Sequence, residues 1–474
     1  MSRQDQLLKS LSLLQKLGKR QNSITRVQHI PAKQGRYEDY PEEIHPALIG
    51  ALKRKGFERL YTHQYQSWNQ IKKGNHIIVV TPTASGKTLC YNMPVLNSIL
   101  KNPSSRAIYL FPTKALAQDQ RAELDETISL LPEEISIFTY DGDTPQDARR
   151  AIRAKGHIIL TNPDMLHTGI LPHHTKWIKL FENLDTIVID EMHNYRGIFG
   201  SHLANILRRL KRICAFYGSS PRFIMCTATI ANPVEVAERM TEEAVSLIED
   251  NGAPHGEKYF IFYNPPVVNE ILGIRRSYVN ESRRVARLFL DNGLQTIVFA
   301  QSRLITEVLL TYLKNDIENK IKKEGLIRGY RGGYLPLRRR EIEKGLREGK
   351  ILGVVSTNAL ELGIDIGSLD VAVLAGYPGS IASTWQRAGR AGRKTSASCA
   401  VLVGRSSPLD QFILNNPDYF FSKNPEKALI NPDNLSILIN HVECAAFEIP
   451  FVDGEKFGSL DITEVLQFLS LIHI

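Results

Sequence analysis

The sequence predicts an α/β protein of two successive, mostly parallel sheets, each covered by helices on both faces. Short, unbroken apolar runs rich in Val and Ile recur along the chain, each followed by a longer stretch with apolar residues at helical spacing. Strands buried on both faces read as continuous apolar runs, whereas a sheet with one wet face alternates. A break rich in Gly, Pro and Asn divides this pattern into two series. At 474 residues the chain also exceeds what one hydrophobic core supports.

Taken in order, residues 1–47 form an N-terminal extension. Leu7, Leu8, Leu11, Leu14 and Leu17 lie at helical spacing among Lys9, Lys16, Lys19 and Arg20, which predicts a packing helix. Asp5 and the lack of a long apolar stretch argue against a secretory signal. The first series occupies 48–255, with strands expected at 77–80, 107–111, 135–139, 157–160, 186–189 and 222–226 and helices over 115–130 and 203–216. Asn251-Gly252-Ala253-Pro254-His255-Gly256 breaks it, and Asn264-Pro265-Pro266 follows a short apolar strand. The second series occupies 270–425, with strands expected at 296–300, 352–356, 371–375 and 400–403. Residues 426–474 are helical in pattern and read as the start of a truncated C-terminal accessory region.

Composition narrows the function classes. No apolar run approaches the ~20 residues needed to span a bilayer, so no membrane partner is expected. The five cysteines, Cys90, Cys214, Cys226, Cys399 and Cys444, are scattered without a Cys-x-x-Cys pair. That pattern argues against a metal knuckle or disulfide framework and fits a reducing compartment. A formal charge of +9 and a pI near 9.1 suggest a polyanionic partner.

Three constellations carry chemistry. The first is Thr81-Pro82-Thr83-Ala84-Ser85-Gly86-Lys87-Thr88, between the apolar run 77–80 and a helical stretch. Strand, loop and helix in that order form a phosphate-binding loop, in which backbone N–H groups and the positive helix end face phosphate oxygens. Lys87 would reach the β- and γ-phosphates and the Thr88 hydroxyl would ligate Mg²⁺. The strict pattern has Gly where Thr81 stands, and Gly-Lys-Thr alone also reads as a helix start. The second is Asp190-Glu191-Met192-His193 after three β-branched residues. Carboxylates at the C-terminal end of a buried strand sit where open α/β sheets bind ligands. Asp190 is placed to hold Mg²⁺ and Glu191 to orient or deprotonate water, although both could instead cap the next helix. Cys226-Thr227-Ala228-Thr229 ends another strand and reads as a relay or as a plain strand end. The third is Gln386-Arg387-Ala388-Gly389-Arg390-Ala391-Gly392-Arg393. Arg390 and Arg393, on one face if the stretch is helical, could stabilise transition-state charge on a γ-phosphate.

These motifs, in this order and spacing, resemble those of superfamily-two DExH-box helicases over about residues 45–425. The resemblance implies two tandem RecA-like domains with ATP and Mg²⁺ bound between them. It adds Gln64 as an adenine reader and Gln386 as a further nucleotide contact, beside Thr83, Ala84, Ser85, Gly86, Lys87 and Thr88. It also adds Thr113, Lys114, Thr161, Asn162 and Thr357 as nucleic-acid contacts. Tyr140-Asp141-Gly142-Asp143-Thr144, Phe199-Gly200-Ser201-His202 and Gly329-Tyr330-Arg331-Gly332-Gly333-Tyr334-Leu335-Pro336 resemble the bacterial mitomycin repair factor A helicases more closely. That likeness implies an ATP hydrolase moving 3′→5′ on single-stranded DNA, or on DNA with a 3′ tail, in DNA repair. It further implies a cytoplasmic, nucleoid-associated setting and a repair nuclease as partner. Members of that family carry a four-cysteine zinc domain beyond the matched region, and no zinc site is expected within this chain. Two rival readings stand beside it: an RNA-dependent ATPase that remodels RNA, and an ATP-switched nucleic-acid clamp that does not unwind.

Overall fold

The computed structural model describes residues 2–361, 366, 367, 369–392, 396–422 and 426–472. The chain forms two compact units, residues 36–252 with 427–474, and residues 1–35 with 253–426. The principal strands, in chain order, are β1 (Ile24–Ile30), β2 (His76–Val80), β3 (Arg106–Leu110), β4 (Ile137–Thr139), β5 (Ile158–Thr161), β6 (Leu184–Ile189), β7 (Arg222–Thr227) and β8 (Val245–Ile248). They continue with β9 (Lys258–Tyr263), β10 (Thr296–Phe299), β11 (Ile327–Tyr330), β12 (Gly353–Ser356), β13 (Val371–Ala375) and β14 (Ser398–Val403).

The unit of residues 36–252 and 427–474 contains a seven-stranded, all-parallel sheet in the order β8-β2-β7-β6-β3-β5-β4. Successive residues of each strand enter opposite cores, as the two-residue period of a strand requires. Ile78, Val80, Ile108, Leu110, Ile187 and Ile189 pack on one face, and Ile77, Val79, Ala107, Tyr109, Val188 and Ile224 on the other. The unbroken Val/Ile runs of the sequence are therefore strands covered twice. β8 escaped prediction because it is an edge strand with only Ile248 buried, so its sequence carries no apolar run.

The unit of residues 1–35 and 253–426 contains a second seven-stranded sheet, in the order β1-β9-β14-β13-β10-β12-β11, parallel except for the antiparallel pair β1–β9. The expected packing helix is present as Arg3–Gln21, capped reciprocally by Ser2 and Asp5 and ended at Asn22 in the left-handed region, φ 48°. Only part of the leucine stripe packs: Leu7, Leu11 and Leu14 are buried beside Phe289 and Leu290, while Leu8 and Leu17 face solvent. Residues 1–35, with this helix and β1, fall in the unit of the second series, and residues 36–47 in that of the first. β11, another edge strand, interrupts its apolar pattern with exposed Arg328.

The stretch 427–474 belongs to the first series. Helix Leu435–Glu448 packs on helix Gly197–Phe216. That contact is charged: Arg208 pairs with Glu242 and with Asp433, the latter at 2.8 Å, and Arg212 pairs with Glu455 at 2.8 Å. Arg209 Nε donates to Glu448 Oε2 at 3.0 Å, with both side chains out of solvent. Among the described residues, no helix is long and apolar enough to cross a membrane.

His441 sits in the same contact, with its Nε2 3.0 Å from His202 Nδ1 and its Nδ1 3.4 Å from Arg209 Nη1. Burial first, then the Arg209 charge, push its pKa down to about 3. The unfolded imidazole would bind a proton near pH 6.5, so between about 3 and 6.5 the unfolded chain holds more protons than the folded one. The resulting stability is complete above about pH 6.5 and falls as the pH drops through that window, by on the order of 1 kcal/mol per pH unit. Urea midpoints measured from pH 7.5 to 5 should therefore decline, and His441→Asn should flatten part of that slope. His63, His76, His157 and His167 are shifted down as well and act in the same direction, while the raised carboxyl of Asp190 acts against them.

Candidate nucleotide and nucleic-acid site

The loop after β2 takes the shape that anion binding needs. Ala84 and Gly86 adopt left-handed φ values of 63° and 80°, and helix Lys87–Lys101 starts immediately after. Gly86 meets the left-handed φ without strain, and a Cβ there would lie 2.8 Å from Gln64 Nε2 and displace that amide from the loop. Thr81, where the strict pattern has glycine, is buried, with its hydroxyl 2.6 Å from Ser85 Oγ, and so ties the two ends of the loop. Lys87 Nζ folds back to donate to the carbonyls of Thr81 at 2.8 Å and Pro82 at 3.0 Å. Thr83, Lys87 and Thr88 are half-buried, Ala84 is exposed and Ser85 is buried. Gln64 holds the loop from outside. Its Nε2 donates to the Gly86 carbonyl at 3.0 Å and its Oε1 accepts from the Tyr61 N–H at 2.9 Å.

Asp190 and Glu191 follow β6, in a sheet where β7 separates β6 from β2. Val80 lies beside Thr227 in register, so the loop, the carboxylates and Thr227 share the C-terminal edge of one sheet. Asp190 Oδ1 accepts the Glu191 N–H at 2.7 Å and Oδ2 accepts the Tyr91 hydroxyl at 3.0 Å. Burial and the adjacent Glu191 carboxylate raise the Asp190 pKa, and Lys87 opposes them. Glu191 has φ 50°, a left-handed conformation that a residue with a Cβ adopts at a cost. His193 Nδ1 accepts the Ala228 N–H at 3.3 Å and lies 3.5 Å from Glu191 Oε2. The Thr-Ala-Thr segment and the second carboxylate thus meet at one imidazole.

The expected strand contacts of this unit lie along the other half of the same edge, after β3 and β5. Leu110 pairs with both Ile189 and Thr161, which puts the two halves in one row. Thr113 caps helix Lys114–Ile128 by accepting the Leu116 N–H at 3.3 Å, and Lys114 pairs with Asp143 at 2.8 Å. Asn162 Oδ1 accepts the Met165 N–H at 2.8 Å, while the Thr161 hydroxyl is buried and donates to the Tyr140 carbonyl at 2.7 Å. In the other unit, Thr357 follows β12 and caps the short 3₁₀ turn Asn358–Leu360.

The arginine motif departs from the helical expectation. Helix Ile381–Ala388 ends with Gly389 as its cap, and Arg390 lies beyond it. Gly392 has φ 81°, and a Cβ built on it would lie 2.1 Å from Ser398 Oγ, so the position packs against the first residue of β14 and admits no side chain. Arg390 is 1% exposed and donates from Nη2 to the Glu361 carbonyl at 2.7 Å. Gln386 is buried within the helix. Arg393 lies outside the described residues.

Two residues at these sites were not singled out in the sequence. Tyr91, fully buried, binds Asp190, and nothing local to a single tyrosine in an apolar helix announces it. Glu361 pairs with Arg387 Nε at 2.9 Å and accepts the Ser383 hydroxyl, joining the loop after β12 to helix Ile381–Ala388. Its position in Asn358-Ala359-Leu360-Glu361 was the available signal.

Two family models match this chain in tandem: a DEAD/DEAH box helicase model over residues 61–236 and a helicase conserved C-terminal domain model over residues 280–395. The uncharacterized ATP-dependent helicase YprA of Bacillus subtilis is 55% identical over 97% of this chain and 61% of its own length. The ATP-dependent helicase hrq1 of Schizosaccharomyces pombe is 38% identical over 92% of this chain and 42% of its own. A crystal structure of the DUF1998 helicase MrfA bound to DNA and AMPPNP superposes with a TM-score of 0.93 at 54% identity, covering 97% of this chain and 64% of that one. The chain thus spans less than two thirds of the length of each of these relatives. Two helicase models in sequence order, two parallel sheets that carry their motifs at strand ends, and identity at this level agree: the chain belongs to the superfamily-two DExH-box helicases, of the MrfA type.

Proposed function

We propose that this chain is the motor of an ATP-dependent DNA helicase that couples ATP hydrolysis to 3′→5′ movement on single-stranded DNA in DNA repair. The observation that carries this reading is the single sheet edge that bears a phosphate loop and paired carboxylates on one half and the strand-contact candidates on the other. The choice of DNA over RNA is supported by the likeness to MrfA, which was solved bound to DNA.

In this reading the loop N–H groups and Lys87 hold the phosphates, and Gln64 would exchange its Gly86 and Tyr61 partners for the base. Lys87 would exchange its two carbonyl acceptors for phosphate oxygens. Mg²⁺ fits the donor set. Thr88 and Asp190 offer one hydroxyl and one carboxylate, both hard oxygen ligands. That suits a cation that keeps waters and phosphate oxygens for most of its shell. When bound, it would neutralise charge on the phosphates. Glu191 orients and deprotonates the attacking water, with His193 linking it to Ala228 at the end of β7. Arg390 and Arg393 add positive charge at the γ-phosphate, which for Arg390 requires release of the Glu361 carbonyl. Thr113, Lys114, Asn162 and Thr357 contact the strand backbone, where short polar groups and loop N–H groups position phosphates without reading sequence, and Thr161 joins them only if its hydroxyl leaves the Tyr140 carbonyl.

Four measurements test this. ATP turnover should rise with single-stranded DNA and not with single-stranded RNA, and a displacement assay should favour duplexes with 3′ tails. Stimulation by RNA alone would move the reading to RNA remodelling, and turnover without displacement would move it to a clamp. Glu191→Gln should bind ATP about as tightly as the parent and lose turnover, since the amide keeps the shape and cannot take a proton; failure to bind nucleotide would contradict the role given to Glu191. Lys114→Ala should weaken binding equally across sequences and reduce the slope of log affinity against log salt by about 0.7 for a single strand. An unchanged slope would remove Lys114 from the strand path.

A further inference from the structure

Tyr91 holds a position that neither the loop nor the carboxylates explain. Its phenol is fully buried on helix Lys87–Lys101, with the hydroxyl 3.0 Å from Asp190 Oδ2 and also 3.0 Å from Gln120 Oε1. A phenol carries one hydrogen, so it can serve only one of these acceptors at a time. The ring is held edge-on against Tyr109, with centroids 5.3 Å apart at 86°, so the hydrogen can turn while the oxygen stays in place. At neutral pH a phenol is protonated and able to donate. Gln120 lies on helix Lys114–Ile128, the helix that Thr113 caps and Lys114 begins.

We infer that Tyr91 is a positioning residue that, through Gln120, couples Asp190 to the strand-contacting end of helix Lys114–Ile128. The inference rests on the functional reading above, because it needs nucleotide at one end and a strand at the other. Positive charge arriving beside Asp190 weakens that carboxylate as an acceptor and turns the hydroxyl toward Gln120. A strand that pulls on the start of the helix shifts the Gln120 carbonyl and acts on the same hydrogen from the other side. Two acceptors sharing one donor form a two-state element that both sites bias, which is the physical requirement for coupling.

The test uses Gln120→Leu in the full chain, which removes the acceptor at similar volume and leaves Asp190 its donor. Four quantities are compared with the parent: melting temperature, ATP turnover without nucleic acid, stimulation of turnover by oligothymidylate, and affinity for labelled oligothymidylate with and without AMPPNP. Melting, unstimulated turnover and nucleotide-free affinity should match the parent. The stimulation, and the factor by which AMPPNP changes oligonucleotide affinity, should both fall at least about fivefold. Gln120→Glu, which keeps an acceptor at the same reach, should retain the coupling, and Tyr91→Phe should lose it. A Gln120→Leu variant as strongly coupled as a coupled parent overturns the inference alone, as does a loss of nucleotide-free affinity that accounts for the whole effect. A parent that shows neither stimulation nor an AMPPNP effect overturns the functional reading and this inference together.

Discussion

Lys87→Ala should lower ATP turnover by about a hundred- to a thousandfold, the range found when one preorganised donor to developing charge is removed, while the melting temperature stays near that of the parent. The ammonium is half-buried and satisfies only two loop carbonyls, those of buried Thr81 and exposed Pro82. Removing it opens no core cavity, and surface changes of this kind shift stability by about 0.5 kcal/mol or less. Its loss matters at the phosphates, where a compact cation in a partly enclosed loop has no substitute among the neutral groups around it. An independent reading comes from His63, whose pKa is held down to about 4, by burial first and then by the Lys87 charge. In the variant the His63 resonance should titrate at a higher pH. Near-normal turnover alongside that shift would show that Lys87 was removed cleanly and that the site assignment is wrong.

The second large effect concerns stability. Glu448→Ala should destabilise the unit of residues 36–252 and 427–474 by about 3–5 kcal/mol, because it leaves a buried guanidinium without its carboxylate. Arg209 and Glu448 are essentially sealed, at 0% and 1% side-chain exposure, so water cannot replace the lost partner. His167 and His441 border the same guanidinium and are held neutral by burial, so neither supplies a negative charge. The paired change Arg209→Met, Glu448→Leu should cost far less than either single truncation, since desolvation of both charges disappears with the charges. Urea unfolding of the three variants separates the cases. A Glu448→Ala shift below about 1 kcal/mol would mean that the pair is worth no more than a surface bridge.

What the sequence by itself determined about this protein is the set of short-range signals. The Val/Ile runs before Thr81 and Asp190 could only be strands covered on both faces, and glycines at fixed offsets marked the turns that follow. Thus the phosphate loop, the carboxylate pair and the placement of Thr113, Thr161 and Asn162 at strand ends were legible. Each is encoded within about ten neighbouring residues, and a parallel sheet then brings all such ends to one edge. The tertiary structure alone decided what depends on partners distant in the chain. β1 joins β9 and residues 427–474 return to the first series, because ladder pairing and a buried charge are settled by whichever surface is available in three dimensions. Arg208, Arg209 and Arg212 meet Asp433, Glu448 and Glu455, more than 200 residues on, only in the folded chain. Tyr91 looked like one more apolar residue of a buried helix, and Arg390 like a helical residue, until Asp190 and the Glu361 carbonyl gave their polar atoms somewhere to go. A hydrogen bond or ion pair needs both partners, and a linear sequence names them without saying which will meet.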